Sequence, residues 1–201
     1  MIKGFDSITF NSLFTLTKGK KLIKSKLDSP NCNKLFIFTN NFNSPNLTTM
    51  PFISVYLHCI WSTKYRIPFL HSYNIRKQVW NHIKDNAASK GFFIDHVNGH
   101  KDHCHCLISL CSNQEIEFVV KLIKGECSHW INDKKIIGAG PVEYQGYDFD
   151  WQDEYYAVSI SRSALPTVRN YIKFQERHHK KQSFKDEIEF LENYHGFVKH
   201  R

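Results

Sequence analysis

The chain has 201 residues, of which 41% are hydrophobic, 23% charged and 14% aromatic; this is apolar material for one core and excludes wholesale disorder and fibrous or collagen-like classes. No run approaches the roughly 20 apolar residues that span a bilayer, and no compact apolar segment with a small-residue cleavage site opens the chain, so a soluble, unexported protein is expected. The net charge is +8, with +5 falling in residues 1–49 and +3 in the remainder, so a polyanionic partner is favoured but charge alone does not establish nucleic-acid binding.

Six cysteines (Cys32, Cys59, Cys104, Cys106, Cys111 and Cys127) are too sparse for a disulfide scaffold, and no CxxC occurs. Reduced thiols are expected, without a structural zinc site of the usual spacing. Residues 1–49 are rich in Asn, Ser, Thr and Lys and show no sustained period of 2 or 3.6. They are predicted to form a poorly ordered basic extension. Two origins fit it: upstream translation of a gene whose working start is Met50, or a genuine basic tail that helps to hold DNA. Residues 50–201 are predicted to be one domain.

In that domain, Ile53, Val55, Leu57, Cys59 and Trp61 alternate with Ser54, Tyr56, His58 and Ser62, the period of a half-buried strand. Ile75, Val79, Ile83 and Ala87 then recur every four residues and Gly91 follows as a C-terminal glycine, which predicts a helix. Phe92 to Val97 reads as a strand, Asn98 and Gly99 as a turn, and His103 to Cys111 as a third strand. Ser112 and Glu115 fit a capping box ahead of a helical stripe of Ile116, Val119, Ile123, Cys127 and Trp130. Gly138, Gly140, Pro141 and Gly146 mark a loop, followed by a strand over Tyr155–Ser161. Ser163 is predicted to cap a helix with Pro166 in its first turn, and a last helix runs from Phe184 to Tyr194, ending at Gly196. The order βαββαβα predicts an α+β fold: a ferredoxin-like split βαβ sandwich, an antiparallel sheet with helices on one face, plus a C-terminal helix.

Two clusters carry candidate chemistry. In Asp102-His103-Cys104-His105 the two imidazoles are two apart on a strand, so they share a face and can converge on one divalent ion, while Cys104 and Cys106 face a core. In Tyr171-Ile172-Lys173-Phe174-Gln175 a helix places Tyr171 and Gln175 one turn apart on one face. Val168, Tyr171, Ile172 and Gln175 also form an ordinary packing set. Taken alone, each cluster reads more simply as ordinary structure, histidines on a sheet face and a tyrosine packing a helix on a sheet.

Together with HCIWSTKYR and WQDEYYAVSIS, the strand DHCHCLISL and the helix VRNYIKFQERHHKK resemble the single-tyrosine HUH transposases of small insertion sequences, including their REP-associated relatives, from about Met50 to Gly196. The middle HUH position is Cys104 rather than a plainly aliphatic residue, and residues 1–49 match nothing in that family. The resemblance implies His103, His105 and Gln175 as metal ligands for Mg²⁺ or Mn²⁺, and Tyr171 as catalytic nucleophile. It also implies a DNA strand transferase that cleaves and rejoins single-stranded DNA through a 5′-phosphotyrosine and recognises hairpin DNA. Further implications are a homodimer whose histidines and tyrosine meet across subunits, and a cytoplasmic, nucleoid-associated location, with no organic cofactor and no membrane partner.

Lys64, Arg66, Lys173, Arg177, Lys180 and Lys181 are candidate phosphate contacts, and Trp61, Tyr65 and Trp151 candidate stacking platforms; the alternation of its strand points Trp61 into the core instead. His178 and His179 fit either support of the metal site or favourable cations at a helix C-terminus. Two other functions remain open. One is a non-catalytic RRM-like RNA-binding module, suggested by the split βαβ order and Lys90-Gly91-Phe92 but not matched at Phe93 or Ile94. The other is a domesticated, REP-associated hairpin-binding nuclease with the same chemistry.

Overall fold

In the computed structural model, residues 21–22, 37–38, 53–138, 146–180 and 182–196 are described. The chain divides into two compact units, residues 1–50 and 51–201. In the first, β1 (Lys21–Leu22) pairs antiparallel with β2 (Ile37–Phe38). The expectations of a disordered extension, and of Cys32 as a free thiol, fall on residues outside the described ones.

The second unit is built on a four-stranded antiparallel sheet of β3 (Val55–Ser62), β4 (Phe93–Gly99), β5 (His103–Leu110) and β6 (Tyr156–Ile160), in the order β4-β5-β3-β6. With α1 (Tyr73–Ser89) between β3 and β4, and α2 (Ile116–Asp133) between β5 and β6, this is the split βαβ sandwich expected from sequence. Ser72 caps α1 by accepting the Ile75 N–H at 3.1 Å, and Gly91 follows its C-terminus at φ 80°. The predicted stripe Ile75, Val79, Ile83 and Ala87 is buried. It meets Leu57, Cys59 and Trp61 of β3, Cys104, Cys106 and Ile108 of β5, and Val119, Ile123 and Cys127 of α2 in one core. Each such aliphatic side chain contributes about 1.5–3 kcal/mol by leaving water.

Several local expectations are corrected. No side chain caps α2, whose N-cap is Glu115; Gln114 instead accepts the Cys111 N–H at 3.0 Å, so Ser112 and Glu115 form no capping box. Ile116, placed on the buried stripe, is 40% exposed, because it is the first helical residue. The helix capped in prediction by Ser163 is α3 (Leu165–Lys173), with N-cap Ala164 and Pro166 in its first turn; the Ser163 hydroxyl bonds that of Ser161 instead. Asn98 and Gly99, read as a turn, are the last residues of β4, paired with His105 and Cys104. Gly99 is needed there: a Cβ would lie 2.1 Å from the His103 carbonyl oxygen. Trp61 and Trp151 are 1% and 2% exposed and pack edge to face in the core, so neither is a stacking platform for bases.

The second sheet face departs most from the half-buried strand read in residues 53–62. His58 and Ile60 are buried as completely as their neighbours. The chain after β6 returns across this face as α3, α4 (Gln175–His178) and α5 (Phe184–His195). Leu107, Leu165 and Ile172 form one apolar cluster beneath α3, and Ile60, Phe184 and Leu191 another beneath α5. A full capping box, Ser183 with Asp186, opens α5, and Gly196 closes it in the left-handed conformation. The polar residues between these two clusters are therefore enclosed.

Candidate active site beneath the C-terminal helices

Alternation along β5 sends Cys104 and Cys106 into the main core and His103 and His105 to the opposite face, where both are fully buried. His103 Nδ1 lies 2.8 Å from Asp102 Oδ1. A carboxylate accepts only, so Nδ1 carries the proton and Nε2 presents a bare lone pair. His105 Nδ1 is 3.1 Å from His58 Nε2. Neither His103 Nε2 nor His105 Nε2 has a hydrogen-bond partner among the described residues.

Burial holds these rings neutral. It lowers His103 to about 4, with the Asp102 hydrogen bond raising it only partly, and lowers His105 to about 3, with the neighbouring His179 and His178 adding to the effect. His58 is likewise pushed well below its ordinary value by burial and by His105. Asp102 lies below its ordinary value although burial raises it, because the His103 hydrogen bond and the Arg66 charge outweigh that.

Tyr171 lies on α3, half-buried, with its ring centroid 5.7 Å from His105, 6.0 Å from His58 and 5.2 Å from His178. The ring is thus neither lost in the core nor remote from the imidazoles of its own chain. The helix predicted to run unbroken from Tyr171 to Gln175 is interrupted at Phe174 (φ −104°, ψ 22°). There Asn98 Nδ2 donates to the carbonyls of Ile172 at 2.9 Å and Lys173 at 3.1 Å. Gln175 is fully buried with both amide atoms unpartnered. Arg76 of α1 reaches across to Glu176 at 2.6 Å and fixes the start of α4.

Two residues from the last stretch of chain join the two histidines of β5 in one buried cluster. His179 Nε2 is 3.1 Å from Glu187 Oε2, and His105 Nε2 is 3.3 Å from Glu187 Oε1. The donor atoms of His103, His105, His179 and Glu187 all lie within 4.8 Å of one another. These contacts are short enough for ion pairs, but burial lowers His179 to about 4 and raises Glu187 to about 7. They are therefore contacts of a carboxyl with neutral imidazoles. His179 is not the helix-terminal cation that sequence allowed. Glu187 was not singled out at all; its signal was a carboxylate in the apolar stripe Phe184, Glu187, Leu191.

The candidate phosphate contacts divide. Lys64 pairs with Asp150 at 3.4 Å, and Arg66 with Asp102 at 3.3 Å while its guanidinium lies 4.8 Å over the Phe184 ring. Arg66 therefore supports the histidine strand. Tyr65 is 79% exposed beside them. Lys173 and Arg177 flank the exposed ring of Phe174 at 5.5 and 5.2 Å. Lys180 is exposed, and Lys181 lies outside the described residues. Phe92, the aromatic of the RRM-like reading, is 6% exposed in the main core and offers no face to RNA.

Residues 52–175 match the family model described as "Transposase IS200 like". This is more than half of the chain, and the protein belongs to that family of transposases. Among solved structures, a transposase assigned in Deinococcus radiodurans R1 shares 22% identity, covering 62% of this chain and 93% of that one with a TM-score of 0.46. A REP-associated tyrosine transposase bound to a REP hairpin shares 15% identity, covering 68% and 74%, with a TM-score of 0.43. No curated protein matches the chain. Among the described residues, no helix is long and apolar enough to cross a membrane.

Proposed function

We propose that this transposase cleaves and rejoins single-stranded, hairpin-bearing DNA, with Tyr171 as nucleophile and a divalent cation held by His103, His105 and Gln175. The observation that carries the reading is a half-buried tyrosine ring 5.7 Å from His105, whose Nε2, like that of His103, is buried without a hydrogen-bond partner; the Gln175 amide is likewise buried and unpartnered. Neutral imidazoles with bare Nε2 atoms and a free carboxamide are a donor set that fits a cation such as Mn²⁺ or Mg²⁺. When bound, the cation polarises a phosphate oxygen and lowers the cost of charge built up at phosphorus.

The residues of the chain supply the rest. The Tyr171 oxygen attacks phosphorus, a P–O bond to tyrosine forms, and the bond to the 3′ oxygen breaks. The phenolic proton passes to a neutral base, for which the His178 ring is the nearest of the three imidazoles around Tyr171, and the 3′ oxygen leaves as a hydroxyl after taking up a proton. The phosphotyrosine retains the bond energy, so attack by a 3′ hydroxyl reverses the step and joins strands without a nucleotide cofactor. Asp102 holds His103 in its tautomer, and Asn98 and Arg76 fix the break between Tyr171 and Gln175. Lys173 and Arg177, beside the exposed Phe174 ring, and the exposed Lys180 supply charge for the DNA backbone. A homodimer acting on chromosomal DNA in the cytoplasm belongs to this reading.

Incubation of the protein with a labelled hairpin oligonucleotide and Mn²⁺ tests it. Nicking and covalent labelling are expected, with Tyr171→Phe abolishing both while DNA binding persists. Equal labelling of Tyr171→Phe would remove that residue from the role.

A further inference from the structure

We propose that His179 and Glu187 are also ligands of the cation, and that three imidazoles and one carboxylate, added to the Gln175 amide, select a first-row transition ion, Mn²⁺, Co²⁺ or Zn²⁺, over Mg²⁺. The inference rests on the reading of the site given above and deepens it. Both residues lie beyond residue 175, where the family match ends, and they come from the segment after α4 and from α5.

Three observations carry the proposal. The four donor atoms lie within 4.8 Å of one another, whereas donors at about 2.1 Å from one ion are about 3.4 Å apart in a tetrahedral set and at most about 4.2 Å apart across the ion; closure needs a contraction of about 0.6 to 1.4 Å, within reach of side-chain adjustment. Each histidine has its far nitrogen already engaged: His103 Nδ1 by Asp102 at 2.8 Å, His105 Nδ1 by His58 at 3.1 Å and His179 Nδ1 by the Gln182 carbonyl oxygen at 3.1 Å. This arrangement orients imidazoles for metal binding, leaving each Nε2 directed into the cluster. Those three Nε2 atoms and both Glu187 oxygens are buried and make no hydrogen bond among the described residues; Glu187 has only its contacts with His179 and His105 at 3.1 and 3.3 Å, and buried polar atoms left without hydrogen bonds are costly. One cation satisfies all five atoms.

The donor types set the preference. Mg²⁺ favours oxygen ligands and retains waters, whereas imidazole nitrogen suits the first-row transition ions. Since Glu187 sits on α5, the ion also joins that helix to β5.

The test uses the full chain stripped with chelator, titrated calorimetrically with Co²⁺, Mn²⁺, Zn²⁺ and Mg²⁺, with the visible spectrum of bound Co²⁺ as a ligand-sensitive readout. One ion per chain is expected, with Co²⁺ at least a hundredfold tighter than Mg²⁺. Glu187→Gln and His179→Gln should each weaken Co²⁺ binding tenfold or more and shift its absorption bands. Independently of any variant, Co²⁺ should slow amide exchange across Phe184–His195 in the unaltered chain. Unchanged affinity and spectrum in both variants, or unchanged exchange in α5, overturns the ligand assignment, and equal affinity for Mg²⁺ overturns the selectivity. If His103→Ala binds Co²⁺ as the unaltered chain does, the reading of the site itself fails.

Discussion

Arg169, two residues before Tyr171 on α3, donates through Nε to both carboxylate oxygens of Asp95 on β4, at 3.0 and 3.1 Å. Asp95 stands where the β4–β5 register shifts between Ile94 and His96, and such irregularities re-aim a side chain out of the strand's normal alternation. The tyrosine helix is thereby tied to the strand next to the histidines. Asp95→Ala should leave metal binding intact but slow covalent labelling about tenfold, through misplacement of the phenol. Single-turnover labelling beside metal titration measures the two effects separately.

Asp102 keeps His103 Nε2 free of a proton. Asp102→Asn preserves the shape of the site but presents an amide, so the preferred tautomer is no longer enforced. Affinity for the cation should drop about 10- to 100-fold, with little change in the melting temperature measured without metal. A calorimetric titration checks both.

Gly99→Ala places a methyl group against the His103 carbonyl, within the 2.1 Å noted above. Backbone must move, so a loss of about 2 kcal/mol or more is expected in denaturant unfolding, together with weaker cation binding. Ala at Gly125, where no atom lies within 4 Å of the added carbon, is the control and should be neutral or slightly stabilising.

Stability without metal should fall on acidification. His103, His105 and His179 have folded-state values of about 4, 3 and 4, below the unfolded value of 6.5. Between these limits the unfolded chain binds more protons, so their contribution is complete above pH 6.5 and is lost as pH falls toward 4. Glu187 has the opposite sign: raised to about 7, it contributes stability below its ordinary value of 4.5 and loses it as pH rises through 7. Three histidines outweigh one carboxyl, so the melting temperature should drop by about 5 °C or more between pH 7 and pH 5. A His105→Gln variant should show a shallower dependence.

The sheet and its main core were legible because alternation and a four-residue recurrence report one face at a time. Leu57, Cys59 and Trp61, with Ile75, Val79 and Ile83, met as their spacing required. The covered second face was not legible: Tyr56 and His58 read as a solvent side, and only the return of α3 and α5 across the sheet encloses them. His103 and His105 announced themselves by local spacing. Glu187 gave only the weaker sign of a carboxylate in an apolar stripe, since its position beside His105 follows from docking of a helix 82 residues further along the chain. The break at Phe174 was equally hidden, because Asn98, the residue that occupies the carbonyls there, comes from a strand more than 70 residues earlier. Ser112 shows the converse: a local capping pattern present in sequence and unused, since Gln114 bonds the Cys111 amide instead.

The most direct measurement of the central claim is mass spectrometry of the protein after reaction with a hairpin oligonucleotide and Mn²⁺. Trypsin releases residues 170–173, Asn-Tyr-Ile-Lys, a fragment with a single tyrosine. The expected result is that fragment carrying the 5′-phosphorylated remnant of the cleaved strand on Tyr171. An adduct on another residue, or cleaved DNA with Tyr171 unmodified throughout the reaction, contradicts it.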